Sequence, residues 1–185
     1  MNYYIWYMLP NDSVDPGKKK RIMIAATGGG VLLIVIIVFM SIIFSGPNIG
    51  DNFTAIAQRQ EEIARIADIG ADKARNSQVN STATTIRAAI ASSQNSVISR
   101  LAQSGINPDS SLLQARQNAS TDQELNSAEQ ANKFDEVFVG ILSVELQEYQ
   151  SLLESTYSLS TTRSDRELLD TLHSEASVLL KAIEK

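Results

Sequence analysis

Residues 49–101 read IGDNFTAIAQRQEEIARIADIGADKARNSQVNSTATTIRAAIASSQNSVISRL and carry two apolar stripes with the spacing of a helix face. The first stripe consists of Ile49, Phe53, Ile56, Gln60, Ile63, Ala67, Gly70 and Ala74. The second, out of step with the first, consists of Val79, Ala83, Ile86, Ile90, Val97 and Leu101. Residues 76–78, Asn-Ser-Gln, separate them and favour caps and turns. The pattern predicts two antiparallel helices, about 51–75 and 79–104; the alternative is one long helix with a phase slip.

The chain downstream of this stretch predicts a connector and two more helices. Gly105 and Pro108 end the second helix, and residues 111–121 are mostly polar. A capping box with Thr121 as N-cap predicts a long helix over about 122–158, and a second box at residues 164–167 opens the last helix. The apolar side of the long helix comprises Phe134, Val137, Phe138, Ile141, Leu142, Leu146, Tyr149, Leu152, Leu153 and Tyr157. The last stripe comprises Leu168, Leu172, Glu175, Leu179 and Ile183, widened by Leu169, Val178 and Leu180.

The lengths of the links predict how the four helices are connected. The first and last links are short, which makes their helices antiparallel neighbours, and the middle link is long enough to cross the bundle. The sequence therefore predicts an all-α domain over residues 51–185: an antiparallel four-helix bundle of ferritin-like arrangement, with a long crossover between its second and third helices.

Upstream, residues 22–44 read IMIAATGGGVLLIVIIVFMSIIF and contain no charged residue. This is the length of a transmembrane helix, and the basic residues 18–21 on its N-terminal side place that end in the cytoplasm. We expect a cytoplasmic tail (1–21), a single transmembrane helix (22–44), a linker (45–50) and an extracytoplasmic domain, all in the cell membrane. A cleaved signal peptide is the alternative, but it would have a shorter apolar region and small residues at its end.

The tail and the span suggest two kinds of contact besides the lipid bilayer. Residues 1–10, MNYYIWYMLP, are aromatic and suit the membrane interface, with docking to a cytoplasmic partner as the alternative. The pairs Ala25/Gly29 and Ala26/Gly30 would let two spans approach closely and form a homodimer. The alternative is that small residues are simply frequent in membrane spans.

Charge and cysteine content restrict the function of the outer domain. From Asp51 onward the chain has 12 Lys and Arg against 19 Asp and Glu, a net charge of −7. This balance argues against nucleic acid as a partner, because binding it needs a basic surface. The chain contains no Cys, so disulfides and a cysteine nucleophile are excluded.

The inventory for catalysis or metal binding is poor, and we expect no catalytic, cofactor or metal site. A di-metal bundle needs Glu-x-x-His on two helices, whereas this chain has one histidine, His173. Glu145 and Glu148 form a Glu-x-x-Glu pair, of which Glu145 is expected to border the apolar face and Glu148 to face solvent. The neighbours Glu61 and Glu62 should point in different directions. His173 is expected to be partly exposed rather than a ligand.

The domain resembles a family of exported bacterial ferritin-like proteins known only as a domain of unknown function. The resemblance lies in the helix–turn–helix of residues 67–106, the Gly105-Ile106 stop and the Phe-Asp opening of residues 134–138. It implies a ferritin-like fold. The family's histidine positions correspond here to residues 89–90, Leu146 and Val178, which are apolar, so the resemblance implies that any metal site is lost and its interior filled with hydrocarbon.

These observations predict a membrane-anchored structural or protein-interaction module with an unidentified protein partner and no enzymatic activity. The alternative is a sensor or signalling ectodomain that relays a helix shift through the span to a separate cytoplasmic protein. An enzyme with an unrecognised, metal-dependent site is a third reading, which elemental analysis would test.

Overall fold

A computed structural model describes residues 49–184, and all regular structure in that range is helical. The elements are α1 (Ile49–Lys73), α2 (Ser77–Gln103), α3 (Ser110–Leu113), a 3₁₀ turn (Gln114–Arg116), α4 (Ala119–Gln130), α5 (Phe134–Leu159) and α6 (Arg163–Ile183). The all-α prediction is confirmed for this range, although α1 begins inside the predicted linker. No helix within residues 49–184 is long and apolar enough to span a bilayer. The predicted tail and span (1–44) lie outside the described residues.

The four long helices pack as antiparallel neighbours around a shared core. In each neighbouring pair, the contacts that lie later in one helix lie earlier in the other, which is the mark of an antiparallel pair. The contacts that establish this are Asp68–Arg87 and Glu61–Gln94 for α1 and α2, Gln60–Tyr149 and Arg75–Asp135 for α1 and α5, Gln150–Ser177 and Glu154–His173 for α5 and α6, and Arg100–Asp165 and Ser93–Glu175 for α2 and α6. It follows that α2 and α5 run in the same direction.

Because α2 and α5 are parallel, the chain between them must return along the bundle, and it does so beside α1. We call residues 104–133 the crossover. Its contacts follow α1 from start to end: Gln58 with Leu112, Glu62 with Asn118, Arg65 with Asp122, and Lys73 with Glu129. No residue from 102 to 120 is buried, and α4 buries only Thr121, Leu125 and Ala128.

The prediction of one helix over 122–158 is wrong, because the chain breaks between α4 and α5. Asn132 adopts a left-handed conformation with φ of 56°. The amide of Lys133 donates to the carbonyl of Ala128 (2.8 Å), and that of Asn132 donates to Glu129 (3.1 Å). These two bonds form a Schellman motif with Asn132 in the place usually taken by glycine.

Two predicted caps are also wrong, and the true caps precede them. Asn118, not Thr121, caps α4 by accepting from the amide of Ser120, while the Thr121 side chain is buried. Thr162 caps α6 by accepting from the amide of Asp165, two residues before the predicted Ser164. The break between α1 and α2 is confirmed, with Asn76 as the N-cap of α2.

The predicted apolar stripes form the core. Most of the largest fully buried side chains come from these stripes: Phe53, Ile56, Ile63, Ile86, Ile90, Leu101, Phe138, Leu142, Leu146 and Tyr149. Two fully buried residues were not in any predicted stripe, Ile66 of α1 and Leu125 of α4. Two predicted positions are exposed, Val178 at 65% and Tyr157 at 44%, and several others, such as Val137 and Ile141, are only half-buried. On α6, Ala176 is buried instead.

Candidate functional site

One polar side chain from each long helix meets inside the bundle. We call these four residues, Gln60, Ser93, Tyr149 and Glu175, the central polar layer. The Gln60 side-chain amide donates to the Tyr149 hydroxyl (2.8 Å) and to the Ser93 hydroxyl (3.3 Å). The Glu175 carboxylate lies near the Ser93 hydroxyl. The layer therefore brings together side chains of all four long helices, with the Gln60 amide bonded to both Tyr149 and Ser93.

Burial governs the electrostatics of the layer. Gln60 is completely buried, and Tyr149 is nearly so. Burial raises the pKa of Tyr149 above its ordinary value, so the phenol stays protonated at any physiological pH. Burial also raises the pKa of Glu175, against the opposing effect of the nearby Ser93 hydroxyl. Among the described residues, the amide oxygen of Gln60 has no hydrogen-bond partner.

This layer was not predicted, because hydrocarbon side chains were expected at the centre of the bundle. That expectation is wrong at the centre of the bundle. The signal was present in the stripes: Gln60 and Glu175 are polar residues at positions with core spacing, and the stripe of α2 skips a step between Ile90 and Val97, where Ser93 lies. A polar residue at a core position predicts a buried hydrogen-bond network, because an unpaired one would be costly.

A second cluster lies between α1 and α5. One guanidinium nitrogen of Arg59, Nη1, contacts the carboxylates of both Glu145 and Glu148, the latter at 2.9 Å. The three side chains are only 11%, 13% and 19% exposed, respectively. Glu145 borders the core as predicted, but the prediction that Glu148 faces solvent is wrong. Burial raises the pKa of Glu145, although Arg59 acts in the opposite direction.

The Arg59 cluster adjoins the contacts that hold the crossover on α1. Glu62, only 3% exposed, accepts two hydrogen bonds from Arg65 (both 2.8 Å) and one from the amide of Asn118 (3.3 Å). These bonds to Glu62 raise the pKa of Arg65. Glu61 turns the other way and accepts from Gln94 on α2. The expectation that Glu61 and Glu62 point in different directions is confirmed.

Arg116 of the crossover also lies over α1. Its Nε donates to the amide oxygen of Gln58 at 2.8 Å. Burial lowers the pKa of Arg116, and the nearby positive charge of Arg59 adds to this effect. Hydrogen bonds and charges thus hold the crossover against α1, with little apolar burial before α4.

His173 lies on the surface between α5 and α6. It contacts Glu154 at 2.9 Å, and its side chain is about one-third exposed, as predicted. A cleft of about 210 Å³ beside it is lined by Leu153, Tyr157, Leu169 and Asp170. In residues 49–184, no group of three or more His, Cys, Asp or Glu side chains is arranged to hold a metal ion.

A further cleft, of about 240 Å³, lies where α1 ends and α5 begins. Its charged side chains are Lys73, Arg75, Glu129, Lys133, Asp135 and Glu136. Lys73 pairs with Glu129, and Arg75 donates to Asn132. Three basic and three acidic residues give this cleft no net charge, so its charge selects neither anions nor cations.

Comparisons with known proteins add no assignment: no protein-family model, curated protein or solved structure matches the chain. The positions that the family resemblance aligned with histidines are not all internal. Ile90 and Leu146 are buried, but Val178 lies on the outer surface of α6. The expectation that hydrocarbon fills all of these positions in the interior is therefore wrong at Val178.

Proposed function

We propose that this chain is a single-pass membrane protein whose ferritin-like, extracytoplasmic helical bundle acts as a structural or protein-interaction module. The observation that carries the proposal is the closure of the bundle. Its apolar stripes are buried against other helices of the same chain, and its most buried acids, Asp165 and Glu62, are paired with arginines. These groups are occupied with one another, which leaves the outer surface to act on other molecules.

The exposed side of α2 is the surface best suited to contact a protein. Over its 27 residues this helix has no Asp or Glu, although the domain carries a net charge of −7. Its exposed residues are small and uncharged over a long stretch: Ala88, Ala91, Ser92, Asn95, Ser96 and Ser99. Protein interfaces are depleted of charge at their centres because charges are costly to desolvate. We infer a protein partner that presents an uncharged surface.

Site-specific photo-crosslinking in membranes of the native host tests this proposal. A photoreactive residue at Ser92 should give one discrete protein adduct, and Ala88→Glu should abolish it by placing a charge in the contact. The matched control is a photoreactive residue at Thr171, which is exposed on α6 and should give no such adduct. Adducts of equal yield at both positions, or none at Ser92, would contradict the proposal.

A sensor ectodomain is the second candidate, and the position of α1 favours it. This helix begins five residues after the predicted span ends at Phe44, and it contacts α2, α5 and the crossover. A shift of α1 would therefore be felt by most of the bundle. Relay across the membrane would require the aromatic tail to bind a cytoplasmic protein. Deleting residues 2–10 should then abolish the signal while leaving the bundle folded.

A further inference from the structure

The central polar layer has a hydrogen-bonding requirement that its side chains do not meet. Gln60 is completely buried, and its amide nitrogen is used twice, for Tyr149 and for Ser93. Its amide oxygen has no donor among the described residues. Burying a carbonyl oxygen without a donor is costly, so native proteins seldom leave one unpaired.

Tyr149 presents the complementary requirement. Its hydroxyl oxygen accepts from the Gln60 amide, and this bond uses a lone pair and leaves the hydroxyl proton available to an acceptor. The pKa of Tyr149 is raised by burial, so that proton is retained. The layer thus offers an acceptor on Gln60 and a donor on Tyr149, which are joined to each other by one hydrogen bond.

We propose that the central polar layer is a binding site for one ordered water molecule, which donates to the amide oxygen of Gln60 and accepts from the hydroxyl of Tyr149. Water suits both requirements because it donates and accepts at once, and buried waters typically make about three hydrogen bonds to such groups. Ser93 and Glu175 are only partly buried. The layer therefore extends from the buried Gln60 and Tyr149 to half-buried residues on α2 and α6.

A cation is a poorer occupant than water. Only one acid, Glu175, belongs to the layer, and its raised pKa reflects the cost of holding charge there. The amide nitrogen of Gln60 occupies the hydroxyl oxygens of Tyr149 and Ser93, which a cation would need as ligands. The donors and acceptors of the layer therefore suit a neutral hydrogen-bonding molecule better than a cation.

Magnetisation transfer from water to the side-chain amide of Gln60 tests the site in the full-length chain labelled with ¹⁵N-glutamine. A long-lived bound water should give a cross-peak at this amide, identified by its loss in Gln60→Met. Tyr149→Phe should weaken the cross-peak at least two-fold, because it removes one of the water's partners. The matched control, Tyr157→Phe in the cleft beside His173, should leave it unchanged.

Two results would overturn the proposal. Absence of the cross-peak in the unmodified chain would indicate a dry layer, in which the Gln60 amide is reversed and bonded only to side chains. A cross-peak unaffected by Tyr149→Phe would show that water does not bridge the two residues. Should Tyr149→Phe fail to fold, a high-resolution crystal structure of the unmodified chain decides: a water within hydrogen-bond distance of the Gln60 amide oxygen supports the site, and apolar packing against that oxygen refutes it.

Discussion

Arg59 is the residue on which the buried charges between α1 and α5 depend, since its guanidinium contacts both Glu145 and Glu148. Removing it would leave two mostly buried carboxylates without their cation. Loss of one partner from a buried ion pair typically costs 3–5 kcal/mol, because the remaining charge stays desolvated. The contacts of Arg59 with Glu145 and Glu148 therefore add little net stability, but breaking them would lower the free energy of unfolding.

We therefore expect Arg59→Met to lower the free energy of unfolding by about 3–5 kcal/mol. Glu145→Gln should cost less than about 1 kcal/mol, because Arg59 keeps Glu148 and the glutamine avoids burying a charge. Urea denaturation of both full-length variants, followed by circular dichroism, measures the difference. Equal losses for the two substitutions would show that Arg59 has no special role.

The ionisation of Asp165 makes the free energy of unfolding depend on pH in the acidic range. The guanidinium of Arg100 bonds its carboxylate and holds the pKa of Asp165 below its ordinary value of 3.8. The ionised carboxylate thus stabilises the fold above that ordinary value, and its contribution is lost as the pH falls through the lowered pKa.

Asp165→Asn should lower the free energy of unfolding at pH 7 by about 1–3 kcal/mol, because the bond to Arg100 loses its charge. The variant should also lose less stability than the unmodified chain below about pH 4, because it lacks the proton uptake. Denaturation midpoints across pH 2–7 measure both effects. Asp170→Asn, at an exposed position on the same helix, is the control and should follow the unmodified curve.

Gly70 and Gly140 offer a matched pair of helical glycines. A Cβ at Gly70 would clash with the ring of Phe138, whereas one at Gly140 would meet nothing within 4 Å. Gly70→Ala should destabilise the bundle by about 1–3 kcal/mol through overpacking. Gly140→Ala should stabilise it by about 0.5–1 kcal/mol through helix propensity. Thermal unfolding of both variants provides the comparison, and a shift in the same direction for both would refute the close contact at Gly70.

At the scale of the elements, the end of α4 depends on a single left-handed residue, Asn132. Asn132→Gly should be nearly neutral, since glycine adopts this conformation without strain, although the contact with Arg75 is lost. Asn132→Ala should cost about 1–2 kcal/mol, because alanine keeps the Cβ that crowds the following carbonyl and loses the polar side chain with which asparagine tolerates this conformation. Chemical denaturation of the two variants measures the difference in their free energies of unfolding. A less stable glycine variant would indicate that the Arg75 contact outweighs the backbone strain.

The crossover is the element most easily detached, because residues 102–120 include no buried residue and polar contacts hold it to α1. Limited proteolysis with thermolysin should cut first between residues 104 and 118, where local opening costs least. Arg65→Met should accelerate that cut by removing contacts with Glu62 and Asp122. Arg163→Met, which breaks only an exposed pair with Glu167, should not. Mass spectrometry of the fragments locates the cut, and a first cut elsewhere would contradict this view of the crossover.

Sequence patterns predict the helices better than their ends. The stripes of α1 and α2 and the turn between them follow from hydrophobic spacing, which burial enforces over many residues. The break at Asn132 rests on one backbone conformation, and asparagine is also tolerated inside polar helix surfaces, so the sequence carries little signal there. The caps at Asn118 and Thr162 were missed because several neighbouring residues have side chains able to cap.

At the scale of the whole molecule, the bundle and the acidic surface follow from the sequence, but the central polar layer requires the structure. Gln60 and Glu175 signal polar positions within stripes. Only the packing shows that they share one layer with Ser93 and Tyr149, because the four residues are spread over more than a hundred positions. The contact of Arg59 with Glu145 and Glu148 could not be predicted from residue spacing for the same reason, because these residues are also far apart in the sequence.

The antiparallel order of neighbours also makes α1 and α6 run in the same direction. The 25 residues of α1 give it a length of about 37 Å at 1.5 Å per residue. Helix α6 therefore delivers the last described residues to the opposite end of the bundle from Ile49. A reporter or affinity handle fused after Lys185 would stand roughly the length of α1 away from the point where the chain enters the domain.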